Sequence, residues 1–200
     1  MKPKPKAMIK QKNSPGGDAS VCLDLDIDIV VESGDWSTLI GDVEAVCNTA
    51  ARCGFEYACA DGVVLDGSTA EIGIVLSSDD YVQNLNRDYR GLNKSTNVLS
   101  FGSLEEGTFA APSGHPEGAP ILLGDIIVAF ETVEREAREE NKQLAQHLSH
   151  MIIHGMLHLL GYDHESDGEA MEMEALEVKA LAELGIRNPY DDWRQSQDNG

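Results

Sequence analysis

Five histidines crowd into the eighteen residues from His147 to His164, and the first four are spaced three, four and four apart. Residues three or four apart share one face of an α-helix, so His147, His150, His154 and His158 form a stripe along one helix. Leu144, Leu148, Ile152 and Leu159 supply an apolar stripe beside it. The pattern predicts a helix from about Lys142 to Leu160. Gly161 stops it and turns the chain, which leaves His164 free to fold back toward the histidine face.

The remainder of the chain reads as one α+β domain. Leu23, Leu25, Ile27 and Ile29 alternate with Asp24, Asp26 and Asp28, the period of a half-exposed strand. Asp35 can cap a helix over Trp36–Arg52, with Gly54 as its stop. A second strand is expected over Ala70–Leu76. A helix follows from Ser78-Asp79-Asp80 to Gly91, then a short strand over Asn97–Phe101. Residues 103–120 are rich in Gly, Pro and acids and read as a loop. Ile121–Ala129 reads as a fourth strand, interrupted at Gly124-Asp125. A charged segment covers about Glu131 to Glu140, and a last helix spans about Gly168 to Leu184. The order β-α-β-α-β-β-α-α, with helices gathered at the end, predicts a small mixed sheet of about four strands packed with helices. The metal motif would ride on a central helix.

The boundaries expected are a Lys/Pro-rich tail at 1–20, a single domain at 21–188 and a C-terminal tail at 189–200. The chain has 200 residues and a net charge of −20. Affinity built on overall positive charge is therefore excluded, and a nucleic-acid partner must be held by a local basic patch. Arg87, Arg90 and Lys94 form one such group, and Arg135 with Arg138 another. No apolar run approaches the ~18 residues of a membrane span. Cys22, Cys47, Cys53 and Cys59 lack metal-binding spacing and read as reduced thiols of a cytoplasmic protein.

The chemistry concentrates in His154, His158 and His164. Their offsets, with Gly161 between, match the H-x-x-x-H-x-x-G-x-x-H spacing of zincin-type metal motifs. Three neutral imidazoles with an open fourth position describe a catalytic zinc site, although imidazole also suits nickel, copper and iron. The zinc-protease motif places a general-base Glu directly after the first histidine, where this chain has Gly155. His147 and His150 lie outside the ligand spacing and read as packing or supporting residues. Asp163 and Glu165 flank the third histidine and can orient an imidazole or sit solvated in the turn. Asp125 either faces the site or marks a bulge. Glu172 and Glu174 read as a solvated face.

The run His154-Gly-Met-Leu-His158-Leu-Leu-Gly-Tyr-Asp-His164 resembles the H-G-x-L-H-L-x-G-Y-D-H signature of the YbeY family, bacterial endoribonucleases of ribosomal RNA maturation. Asn86-Arg-Asp-Tyr89-Arg90 and Thr96-Asn97-Val98-Leu99-Ser100-Phe101 resemble the family's N-x-x-Y-R…T-x-V-L-S-F stretch. Leu123-Gly124-Asp125-Ile126 is similar to its L-G-D-I block. The likeness runs over about residues 65–180. Ser95 departs from the proline that members often carry there. The resemblance implies zinc held by His154, His158 and His164, with catalytic roles for His154 and Arg90. It implies cleavage of single-stranded RNA, 3′-end maturation of 16S rRNA and ribosome quality control. The partners implied are 16S precursor rRNA and the ribosome or its proteins, with no membrane and no DNA. Two other classes compete: a zinc hydrolase of peptides or small molecules, and a ribosome-associated assembly factor that binds without cutting.

Overall fold

The computed structural model describes residues 23–65, 69–103 and 119–191. The N-terminal tail and nearly all of the 103–120 loop lie outside these residues. Ten elements follow in order: β1 (Asp24–Val31), α1 (Trp36–Ile40), α2 (Val43–Ala60), β2 (Thr69–Ser77), α3 (Asp79–Arg90), β3 (Val98–Gly102), β4 (Ile121–Ala129), α4 (Phe130–Glu139), α5 (Leu144–Leu159) and α6 (Asp167–Glu183).

The four strands form one mixed sheet in the order β1-β2-β4-β3. β1, β2 and β4 run parallel, and β3 closes one edge antiparallel to β4. The alternation read in the first strand holds. Leu25 is buried, and the aspartates between the apolar residues are exposed. Such a strand suits a sheet edge, where acidic side chains discourage further pairing. β2 alternates in the same way, with Ala70, Ile72, Ile74 and Leu76 buried. These side chains share the main core with α2, α5 and α6. The opposite face is covered by α3, whose Val82 meets Leu99, Ile127 and Ala129 in a smaller apolar cluster.

The sequence expectation fails at the first helix, at Gly54, in the fourth strand and at Cys59. The helix expected over Trp36–Arg52 is two helices, broken at Gly41-Asp42, with the Asp42 side chain capping α2. Gly54 does not stop α2. It is buried where α2 meets Met156 and Ile153 of α5, a side the helix can present only with a small residue. The strand expected to be interrupted at Gly124-Asp125 instead runs through, with a bulge that shifts its register against β2. Cys47 and Cys53 are free and buried. Burial first, then nearby glutamates, push their thiols up to about 12 and about 11. Cys59 is disulfide-bonded, so the expectation of four reduced thiols does not hold for it. Among the described residues, no helix is long and apolar enough to cross a membrane.

Candidate metal centre

The site is built on α5, which lies directly against the sheet. That approach depends on Gly155. A Cβ there would stand 2.9 Å from Ile126 Cγ2 and 3.1 Å from Ser100 Oγ. Ser100 Oγ also donates to the Gly155 carbonyl at 3.3 Å. The position where zinc proteases carry their base therefore points into β3 and β4, and a glutamate has no room there.

His154 and His158 project from successive turns of α5. The chain leaves the helix through Gly161, whose φ of 80° is a left-handed conformation that glycine adopts without strain. This turn returns His164 to the other two. One nitrogen from each of the three rings lies within 4.8 Å of the others. His154 and His158 are part-buried, and His164 is exposed. The site is thus walled on the helix side and open on the turn side.

Hydrogen bonds fix the direction of two of the rings. His154 Nδ1–H donates to Glu177 Oε1 at 2.7 Å. His158 Nδ1–H donates to the Tyr162 carbonyl at 3.0 Å. A carboxylate and a carbonyl can only accept, so the proton sits on Nδ1 in both neutral rings. Their Nε2 atoms then face each other as lone pairs, 3.0 Å apart. Two lone pairs at that distance repel unless a cation lies between them. Zn–N bonds of about 2.0–2.1 Å in a tetrahedral shell would place neighbouring nitrogens only slightly further apart. The donor set therefore fits a divalent transition metal. Burial first, then the neighbouring imidazoles of His154 and His164, hold His158 down to about 4, so its imidazole is neutral at neutral pH.

Glu177 escaped the sequence reading. It is 1% exposed on α6 and meets His154, His150 (Nε2–H to Oε2, 3.4 Å) and the Tyr190 hydroxyl. Burial pushes its carboxyl up. Hydrogen bonds from His150 and His154 more than reverse this, holding it well below the usual carboxylate range. A signal was present: Glu177 lies four residues after Met173 and three before Ala180, inside the apolar stripe of its helix. An acid there must be partnered. His147 donates to Glu136 at 3.0 Å, so both extra histidines of the stripe are held by carboxylates. Asp163 accepts from the His164 backbone N–H at 2.8 Å and shapes the turn. Asp125 is exposed and paired with Gly73, on the sheet face away from Ile126 and α5, so it does not face the histidines; the bulge falls two residues earlier, at Leu123.

Arg90 is exposed in the last turn of α3 and, among the described residues, makes no ion pair or hydrogen bond through its side chain. Its neighbour Tyr89 rests edge-on against Phe101 of β3, ring centroids 5.3 Å apart. Among the described residues, no hydrogen bond or ion pair joins Arg90 to the triad. Arg87 pairs with Asp88, Arg135 with Glu139 and Arg138 with Glu134. Of the two basic groups read in the sequence, Arg90 and Lys94 make no ion pair among the described residues.

A sequence profile described as Endoribonuclease YbeY matches residues 36–185. The chain belongs to the YbeY family. Endoribonuclease YbeY of Paramagnetospirillum magneticum is 54% identical over 149 residues, covering 74% of this chain and 88% of that protein. Endoribonuclease YbeY of Rhodopseudomonas palustris is 44% identical over 163 residues, covering 82% of this chain and 80% of the other. Endoribonuclease YbeY of Magnetococcus marinus is 53% identical over 121 residues, covering 60% of this chain and 82% of the other. The matched span holds all three histidines of the site, together with Arg90, Gly155 and Glu177. It stops short of Tyr190.

Proposed function

We propose that this YbeY-family chain is a zinc-dependent endoribonuclease that cuts single-stranded RNA in 3′-end maturation of 16S rRNA and in ribosome quality control. Family membership makes it an endoribonuclease. The metal, the strand preference and the ribosomal substrate extend that reading. The observation that supports the metal best is the convergence of His154, His158 and His164, two of them locked in the tautomer that aims Nε2 at a common point. The ligand arrangement is zincin-like in spacing and rides on the central helix α5. When bound, the ion supplies Lewis acidity toward a phosphoryl oxygen.

The chain's own residues do the rest. His154, His158 and His164 hold the ion. Glu177 and the Tyr162 carbonyl hold the rings. Arg90, which makes no ion pair among the described residues, is available to the negative charge that develops on a phosphodiester in its transition state. Lys94 extends this small positive surface on an otherwise acidic body. The acidic remainder suits basic ribosomal proteins as partners, and the reading places the protein in the cytoplasm. A peptide hydrolase is disfavoured, because the place of the protease base is filled by the sheet.

End-labelled 16S precursor RNA carrying its 3′ extension tests this reading. Wild type should cut it, lose cutting with chelator and regain it with zinc. His158→Ala, purified identically, should lose more than ~100-fold, beyond what loss of an outer-shell partner causes. Equal cutting by both proteins, or none by zinc-loaded wild type on free RNA and on assembled subunits, overturns it. A 2′,3′-cyclic phosphate end would assign attack to the RNA 2′-hydroxyl, and a 3′-hydroxyl end with a 5′-phosphate to water.

A further inference from the structure

The histidine motif does not hold its own first ligand in place. Nothing on α5 meets His154 Nδ1. That nitrogen is met from α6 by Glu177, and Glu177 is in turn met from beyond α6 by Tyr190. We propose that Glu177 and Tyr190 are a positioning pair for the metal site, Glu177 fixing the tautomer and angle of His154 and Tyr190 fixing Glu177. The inference rests on the metal reading given above.

Three observations carry it. First, Glu177 is almost fully buried, and a carboxylate is kept in such a place only when its oxygens are occupied. Oε1 accepts from His154, while Oε2 accepts from Tyr190 and His150. The two oxygens are thus divided between the ligand and its supports. Second, Tyr190 is anchored independently. Its backbone N–H donates to Asn188 Oδ1 at 3.0 Å, Asn188 Nδ2 donates to Asp191 at 2.7 Å, and its ring packs edge-on against His150 at 5.9 Å. The turn at 188–191 presents the hydroxyl, so Tyr190 is not a loose side chain that happens to fall nearby. Third, the other helix ligand, His158, is oriented by a backbone carbonyl of its own turn. Only His154 depends on a side chain carried by another element. A carboxylate behind a ligating imidazole fixes the ring and raises its basicity, and loss of such a partner typically weakens metal binding 10–100-fold. The geometry thus extends the site through residues 177 and 190, although the motif ends at 164.

The test uses the full-length chain and needs no RNA. Affinity for Zn²⁺ and Co²⁺ is measured by chelator competition, alongside the visible spectrum of the Co²⁺ form. Ring ¹⁵N shifts report the His154 tautomer in the metal-free protein. In wild type, His154 should carry its proton on Nδ1. Glu177→Gln should bind Zn²⁺ about 10–100-fold more weakly and change the Co²⁺ spectrum. Tyr190→Phe should change both in the same direction by a smaller factor, about tenfold or less. Tyr57→Phe is the control. Tyr57 also donates to an α6 glutamate, Glu183, yet touches no histidine, so its affinity should equal wild type.

The proposal is overturned if His154 carries its proton on Nε2. It is equally overturned if Tyr190→Phe, folded, binds metal and shapes the Co²⁺ spectrum as wild type does. If Glu177→Gln fails to fold, Tyr190→Phe decides alone. A wild type that binds neither metal would sink the metal reading, and the ¹⁵N arm would then judge the tautomer by itself.

Discussion

Glu136 and Glu177 make the same contact in two parts of the molecule, and the contrast separates scaffold from site. Each accepts a hydrogen bond from a histidine of α5: His147 to Glu136 at 3.0 Å, His154 to Glu177 at 2.7 Å. In each, burial pushes the carboxyl up and histidine hydrogen bonds outweigh it, so both lie below the usual range. The difference is on the far side of the ring. His147 Nδ1 is buried with no hydrogen-bond partner among the described residues, a dead end. His154 Nε2 faces a second imidazole in an open site. The other partners diverge too. Glu136 also accepts from Asn97 Nδ2 at 3.1 Å, and Asn97 Oδ1 accepts the N–H that begins β3. Glu136 therefore fastens an edge strand to α5, whereas Glu177 aims His154 Nε2 at the histidine cluster. Identical chemistry becomes structural or functional according to what the second ring nitrogen is free to do.

The sharpest way to break this contrast is to remove each carboxylate in turn. Glu177→Leu should reduce zinc-dependent cleavage by more than about tenfold. Glu136→Leu should leave cleavage within about twofold while costing about 1–3 kcal/mol of stability, the penalty for stranding buried donors. Equal losses of cleavage at matched stability would erase the distinction. The contrast also assumes that both histidines hang on one rigid helix seated on the sheet. Gly155→Ala drives a methyl into Ile126 and should cost about 1–3 kcal/mol in urea unfolding, weakening both networks together. An unchanged midpoint would mean that α5 can shift freely. The smallest effect is in acid. Glu136 is depressed in the folded chain, so its contribution is present above its unfolded value near 4.5 and is lost as pH falls through the folded one. His147 and Asn97 face it, with Arg135 nearby. Glu136→Gln should therefore flatten the acid limb of a stability–pH profile, and a limb as steep as wild type would remove Glu136 from that account.

Much of this was legible in the residues. The Leu-Asp alternation of β1 and the helical spacing of the histidines are periodic signals, and periodicity survives folding because it decides which side chains share a face. Gly161 and His164 followed from the need to turn the chain back. What stayed hidden was long-range. Gly54 read as a helix stop and Gly155 only as a missing protease base, and only the approach of α5 to α2 and to the sheet shows both as contacts. Arg87, Arg135 and Arg138 looked like cationic surface until their acidic neighbours were seen to claim them. Glu177 stood among other glutamates of α6, and its place in the apolar stripe is visible only when the helix is turned to its buried side. Tyr190 has no periodic signal, because a single turn carries it there.

The third histidine leaves the centre asymmetric in time as well as in space. His154 and His158 are clamped through Nδ1, but the His164 ring has no hydrogen-bond partner among the described residues and stands on an exposed turn behind a glycine. Two ligands make a fixed jaw, and the third makes a free one. For an ion held by the three, closing the third ligand would cost that side chain its rotamer freedom, on the order of 1 kcal/mol. Metal exchange would then be a property of the 161–164 turn, and residues that stiffen that turn would lengthen the stay of an ion.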